Sequence, residues 1–129
     1  MENKYFTPDI EDIHVGYEGE VSYLHENKFT PFKLRHAEET SDFLTGYYNR
    51  KVRTPFLTKE QIEKEGWIDQ KDRDMSENMG FLFKSELGDI QYWTINKRLN
   101  VSIKSTGYRF DGYCPSINEF RTIMKLLKL

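Results

Sequence analysis

The sequence holds one cysteine, Cys114, in 129 residues, so no intrachain disulfide can form and stability must come from packing. Cys114 lies between Tyr113 and Pro115 with no neighbouring cation to lower its pKa, and reads as a packed thiol rather than a nucleophile. No run of about 18 apolar residues occurs, which excludes a membrane-spanning helix. No glycine-rich turn leads into Lys-Ser or Lys-Thr, and G-x-S-x-G is missing, so neither a phosphate cradle nor a nucleophile elbow is present. His14, His25 and His36 never stand four apart, and with one thiol they suggest no zinc set. Asp72-x-Asp74-x-Ser76 begins like a calcium loop, but Glu77 occupies the required glycine position and Phe83 that of the bidentate glutamate. Asp9 and Asp69-x-Lys71 have the residue types of a metal-dependent nuclease, yet they lie on an irregular arm and in a loop, with no strand to hold them. No cofactor, no metal and no enzymatic activity are therefore expected. The opening Met1-Glu2-Asn3-Lys4-Tyr5 is polar, unlike a secretory signal, and a cytoplasmic protein is the simplest expectation.

What the sequence does have is rings. Two Trp, eight Tyr and nine Phe make 15% of the chain aromatic, against the composition of a disordered segment. Rings suit pleated, half-buried surfaces, so the core is expected to rest on them more than on aliphatics. Net charge is −2, but it is unevenly spread. Residues 1–26 carry seven acidic side chains and one lysine, whereas residues 97–129 carry seven cations and two acids. Length points to a single domain over 1–129, at roughly 100–150 residues per domain.

Along the chain, residues 1–14 read as an extended N-terminal arm, ordered and tucking its apolar residues onto the domain. Val15, Tyr17, Gly19, Val21 and Tyr23 alternate with polar residues, as in a half-buried strand. A turn at Glu26-Asn27-Lys28 leads to a return strand over 28–35, confined by Pro31 to a sheet edge. Residues 36–46 are weakly helical and 47–56 read as a strand. Thr58 and Gln61 have the spacing of a capping box, followed by Ile62 and then Gly66, which predicts a short helix at 59–65. Residues 69–80 form a mobile polar loop. From 81 to 113 four short strands separated by turns predict an antiparallel meander. Ser116 and Glu119 suggest a second capping box, and Phe120, Ile123, Met124 and Leu127 form one stripe of a helix over 116–128. The fold class is thus α+β: an antiparallel β-sheet with a C-terminal helix packed on one face.

Two functions fit. The first is a small non-enzymatic binding domain for a protein partner, with Tyr5, Phe6, Tyr17 and Trp67 as contacts, since rings give large contact area at low entropy cost. The alternative is a single-stranded nucleic-acid binder. Arg50, Lys51 and Arg53 lie beside Tyr47 and Tyr48, and Lys97, Arg98, Lys104 and Arg109 lie beside Tyr92, Trp93 and Tyr108. No membrane partner is expected. The strand at 28–35 offers an open edge through which a homo-oligomer could form.

Three segments also carry a family resemblance: Tyr5-Phe6-Thr7-Pro8-Asp9-Ile10-Glu11-Asp12-Ile13-His14-Val15-Gly16-Tyr17-Glu18, Val52 to Glu63, and Ile117 to Leu127. They resemble a group of small uncharacterised phage and prophage proteins of anaerobic gut bacteria. The resemblance implies a mobile-element setting and brings no assigned activity and no site residues.

Overall fold

The structure, a computed structural model, describes residues 4–23, 28–47, 50–69 and 80–127. The turn expected at 26–28 lies largely outside the described residues, as do His25 and residues 70–79 of the expected polar loop. The chain is α+β, with a four-stranded and a five-stranded antiparallel sheet. Length suggests one domain; the chain divides into two compact units, residues 1–56 and 57–129, each with its own sheet and its own buried cluster.

The first unit contains β1 (Tyr5–Phe6), β2 (Glu18–Tyr23), β3 (Thr30–Lys33), α1 (Ala37–Thr45) and β4 (Arg50–Pro55), with strand order β1-β4-β2-β3. Pro31 lies on an edge strand, where the missing N–H costs least. The N-terminal arm is ordered and built into the unit. β1 pairs with β4, Ile10–Asp12 form one 3-10 turn, Ile13 is buried, and the Tyr47 hydroxyl donates to the Pro8 carbonyl at 2.8 Å. α1 starts on His36, whose side chain accepts from the Glu39 amide. It brings Phe43 onto Phe32, ring centroids 4.6 Å apart, and Phe32 in turn stacks on Tyr17. Tyr17 and Thr54 are both fully buried and share a hydrogen bond of 2.7 Å, so each polar group is satisfied inside an apolar cluster.

The second unit contains α2 (Lys59–Lys64), β5 (Ile68–Asp69), β6 (Gly80–Lys84), β7 (Gly88–Trp93), β8 (Arg98–Ile103), β9 (Arg109–Tyr113) and α3 (Ile117–Leu126), with the strands in sequence order. The expected meander is there, extended by the two-residue β5. β7 ends at Trp93 rather than Ile95, because the turn to β8 begins at Thr94 and places Lys97 in the left-handed region at φ 56°. The capping box on α2 forms in both directions between Thr58 and Gln61. At α3 the reciprocal bond is not made: the Ser116 hydroxyl accepts from the Asn118 amide and donates to the Glu119 carboxylate.

Period-two alternation sends Phe83, Ile90, Tyr92, Leu99 and Val101 to one face of this sheet, where Ile117, Phe120, Ile123 and Met124 of α3 cover them. Leu57, Ile62, Trp67 and Cys114 complete the cluster. Each fully buried side chain of this size contributes about 1.5–3 kcal/mol. Gly88 permits β7 and β8 to approach: a Cβ there would run into the backbone carbonyl of Ser102.

Replacing Gly88 by Ala should therefore cost about 1–3 kcal/mol, because backbone cannot swing aside as a side chain can. Unchanged stability in urea denaturation would contradict the close approach. In the first unit, Tyr17→Phe should cost about 1–3 kcal/mol by leaving the Thr54 hydroxyl buried without its partner. Adding Thr54→Val should recover part of that loss, and a double-mutant cycle with zero coupling would dispose of the bond's role.

Candidate functional site

The four rings singled out from the sequence do not form a contact surface. Tyr17 and Trp67 are buried in the cores of their units and present no face to a partner. The alternation in the sequence gives the face of a strand but not whether another layer covers that face. Tyr5 and Phe6 are half-buried in β1. Phe6 packs on Phe56 with centroids 5.1 Å apart, and Tyr5 lies against the Arg53 guanidinium.

The cations are also largely engaged. The Arg53 guanidinium lies 3.7 Å from the Tyr5 ring centroid and 3.8 Å from that of Phe29. Its Nε and Nη2 reach the same Glu20 oxygen at 2.8 and 2.7 Å. A planar cation held by two rings and a carboxylate has little left for a phosphate. Arg50 lies over the rings of Tyr23 and Phe43, at 5.1 and 5.3 Å. Lys51 is exposed on the same strand. In the second unit Lys97 and Arg98 stand at one end of β8, and Lys104 and Arg109 at the other. Six residues at about 3.3 Å each separate those ends by roughly 20 Å. The basic residues of the alternative therefore make no single patch within either unit.

The arrangement that the fold does assemble lies on the outer face of the five-stranded sheet. Inward placement of Tyr92, Leu99 and Gly112 forces their neighbours outward, and register sets Trp93, Arg98 and Tyr113 directly side by side on β7, β8 and β9. Gly80, opposite Trp93 on β6, adds no side chain to the row. Tyr113 is 64% exposed, and Trp93 is half-buried. Arg98 Nε donates to Asp111 Oδ1 at 2.7 Å, with both side chains 52% exposed. That hydrogen bond raises the arginine's pKa and holds the Asp111 carboxyl below its ordinary value. The pair's contribution is present above the unfolded carboxyl's pKa and is lost as pH falls through the folded one, and at this exposure solvent screens it. Gln91 and Asn100 complete the polar surround. Sequence reasoning named Arg98 and Trp93 together for the nucleic-acid alternative and did not single out Tyr113. Period-two counting turns Trp93 outward from Tyr92, and turns Tyr113 to the same side as Asp111.

Chemistry of other kinds finds little support here. Among the described residues no group of three His, Cys, Asp or Glu side chains could hold a metal ion. Asp69 is taken by Lys59 Nζ at 2.6 Å. A shallow groove of about 510 Å³ beside α1 is lined by Val15, Ala37, Thr40, Ser41, Leu44 and Thr45, none of them ionisable. Within it the Thr40 and Thr45 hydroxyls donate to helix carbonyls. Cys114 is fully buried, and burial pushes its thiol well above the ordinary value, with the Glu119 charge adding to the shift. The Tyr92 phenol is raised for the same first reason and donates to the Cys114 carbonyl at 3.0 Å. Among the described residues no helix is long and apolar enough to cross a membrane. No protein-family model matches this chain, no curated protein matches it, and no solved structure matches it.

The state of Cys114 is directly checkable. An aromatic disulfide reagent at mildly alkaline pH should leave the folded chain unmodified and label one thiol per chain after denaturation. Rapid labelling of the native protein would contradict a buried, protonated thiol.

Proposed function

We propose that this chain is a non-enzymatic binding domain for a protein partner. Its contact surface is the outer face of the five-stranded sheet, anchored by Trp93, Arg98 and Tyr113. The observation that carries this reading is the row itself: a half-buried Trp, an exposed Arg and an exposed Tyr adjacent in register on three strands. These three residue types dominate the energetics of protein interfaces, because rings and planar guanidinium offer large contact at low entropy cost.

The surrounding charge favours a protein over a polyanion. Asp111 holds Arg98 and would itself face any phosphate placed on the row. Of the other cations named for that alternative, Lys97, Lys104 and Arg109 are split between the two ends of β8, Arg50 and Arg53 lie against rings, and only Lys51 is left exposed on its strand. A buried thiol and a groove without ionisable residues support a binding role over a catalytic one. The resemblance to phage and prophage proteins adds a mobile-element setting to the proposal.

The test is affinity capture with the intact chain, followed by calorimetric titration with the purified partner. Trp93→Ala and Tyr113→Ala should each weaken binding at least tenfold, about 1.4 kcal/mol. Lys104→Ala, at the far end of β8, should change it little. Undiminished binding by both ring variants would remove this face from consideration. Fluorescence anisotropy with a short single-stranded oligonucleotide separates the alternative: affinity that falls steeply with salt, and falls further in Arg98→Ala, would replace the protein reading by the nucleic-acid one.

A further inference from the structure

The two sheets have four edges, β1, β3, β5 and β9, and three of them are blunted. β1 and β5 are two residues long. In β3, the bond from the Leu34 amide to the Tyr17 carbonyl at 3.0 Å fixes the alternation. Thr30 and Phe32 bond inward to β2, so Pro31 and Lys33 face the open side, and Pro31 has no N–H to offer there.

β9 has no such protection. The Ile103 amide donates to Tyr108 O at 2.9 Å and the Cys114 amide to Lys97 O at 2.8 Å. With the β8–β9 register, these bonds turn Phe110 and Gly112 toward β8 and leave Arg109, Asp111 and Tyr113 with N–H and C=O directed outward. Among the described residues none bonds to those backbone groups. The strand is five residues long, in continuous register, without proline, and its three outward-bonding residues are all exposed.

We infer that β9 pairs with β9 of a second copy of this chain, antiparallel about a two-fold axis at Phe110. The charges select this occupant and this register. Arg109 and Asp111 stand two apart on the outer face, so Arg-Phe-Asp is its own antiparallel complement. With the axis at Phe110, Arg109 lies opposite the partner's Asp111, and Asp111 opposite the partner's Arg109. Asp111 then sits between its own Arg98 and a second guanidinium. Both cross-pairs fall at positions whose backbone groups point outward, so each exchanges N–H···O bonds. On the inner face the half-buried Phe110 meets the partner's Phe110. An axis at Asp111 would oppose two carboxylates, and an axis at Gly112 would lose both ion pairs. The contact is isologous and closes after two copies. An edge contact of this kind is smaller than a standard interface, so the dimer is weak and concentration-dependent. It uses the backbone edge of β9, whereas the protein contact proposed above uses the sheet's face, with Asp111 and Tyr113 common to both.

The experiment is sedimentation equilibrium of the intact chain from micromolar to millimolar concentration. A monomer–dimer equilibrium is expected, weakened by salt. Arg109→Asp and Asp111→Lys should each reduce association at least tenfold, since each puts like charges opposite one another. An equimolar mixture of the two variants should regain wild-type association, because opposite charges meet again in the mixed pair. Amide exchange provides a measure free of substitutions: the Arg109 and Asp111 amides should slow as concentration rises, while the Lys33 amide should not. A wild-type chain that stays monomeric throughout, single variants that associate undiminished, a mixture that fails to recover, or concentration-independent exchange at both amides would each overturn the pairing.

Discussion

Register between β7 and β8 is the constraint on which the second unit depends. Because successive side chains alternate faces, a slip of one residue would carry one strand's apolar pair, Ile90 and Tyr92 or Leu99 and Val101, away from α3 and bring Asp89 and Gln91, or Asn100 and Ser102, beneath it. Burial of the first set and the polarity of the second therefore enforce the same pairing. Gly88 strengthens it, since only a residue without Cβ lets the backbone close on Ser102 at that point. The exposed row of Trp93, Arg98 and Tyr113 follows from this choice. Its members are outward because their neighbours are obliged to be inward.

A second requirement is to turn the chain from β9 back over the sheet. Cys114, Pro115 and Ser116 make that passage while buried, where unpaired carbonyls would be costly. Each carbonyl finds a donor. Cys114 O accepts from the Tyr92 hydroxyl, Pro115 O from the Leu57 amide at 2.8 Å, and Ser116 O from the Phe120 amide at 3.1 Å. The buried phenol of Tyr92 and the buried thiol beside it thus have structural explanations. Their raised pKa values record the cost of charge in this place rather than readiness for chemistry.

Much of this was legible in the sequence, and the failures have physical causes. The capping box at Thr58 and Gln61, the stripe of α3 and the alternation in β8 are local signals set by neighbouring residues, and each became the expected element. Pro31 marked an edge for the same reason. The division into two units was not legible, because periodicity shows which residues seek a core but not which core they join. Tyr17 and Trp67 read as partner contacts for that reason, and both are buried. At Ser116 the spacing was right but the partner differed: the hydroxyl donates to Glu119, so the carboxylate does not cap the chain as Gln61 does. Long-range pairing also decides which edge is open. The backbone groups that point outward from β9 can be assigned only once its register against β8 is known.

The two sheets carry the same kinds of residue on their outer faces and use them differently. In the first unit Arg53 bonds to Glu20 directly across the strand pair, with Tyr5 and Phe29 against its faces, and the pair is 32% and 22% exposed. Lys33 and Glu18 form a second cross-strand pair at 3.3 Å. In the second unit Arg98 reaches diagonally to Asp111 and so leaves the row between Trp93 and Tyr113, and that pair is 52% exposed on both sides. A guanidinium already stacked between rings has made its contacts and chiefly rigidifies its sheet. One drawn aside by a carboxylate leaves two rings beside a charge pair that is half exposed. Water is readily displaced from such a row by a surface with complementary rings or charges, which is the geometric basis of the recognition proposed for the second sheet.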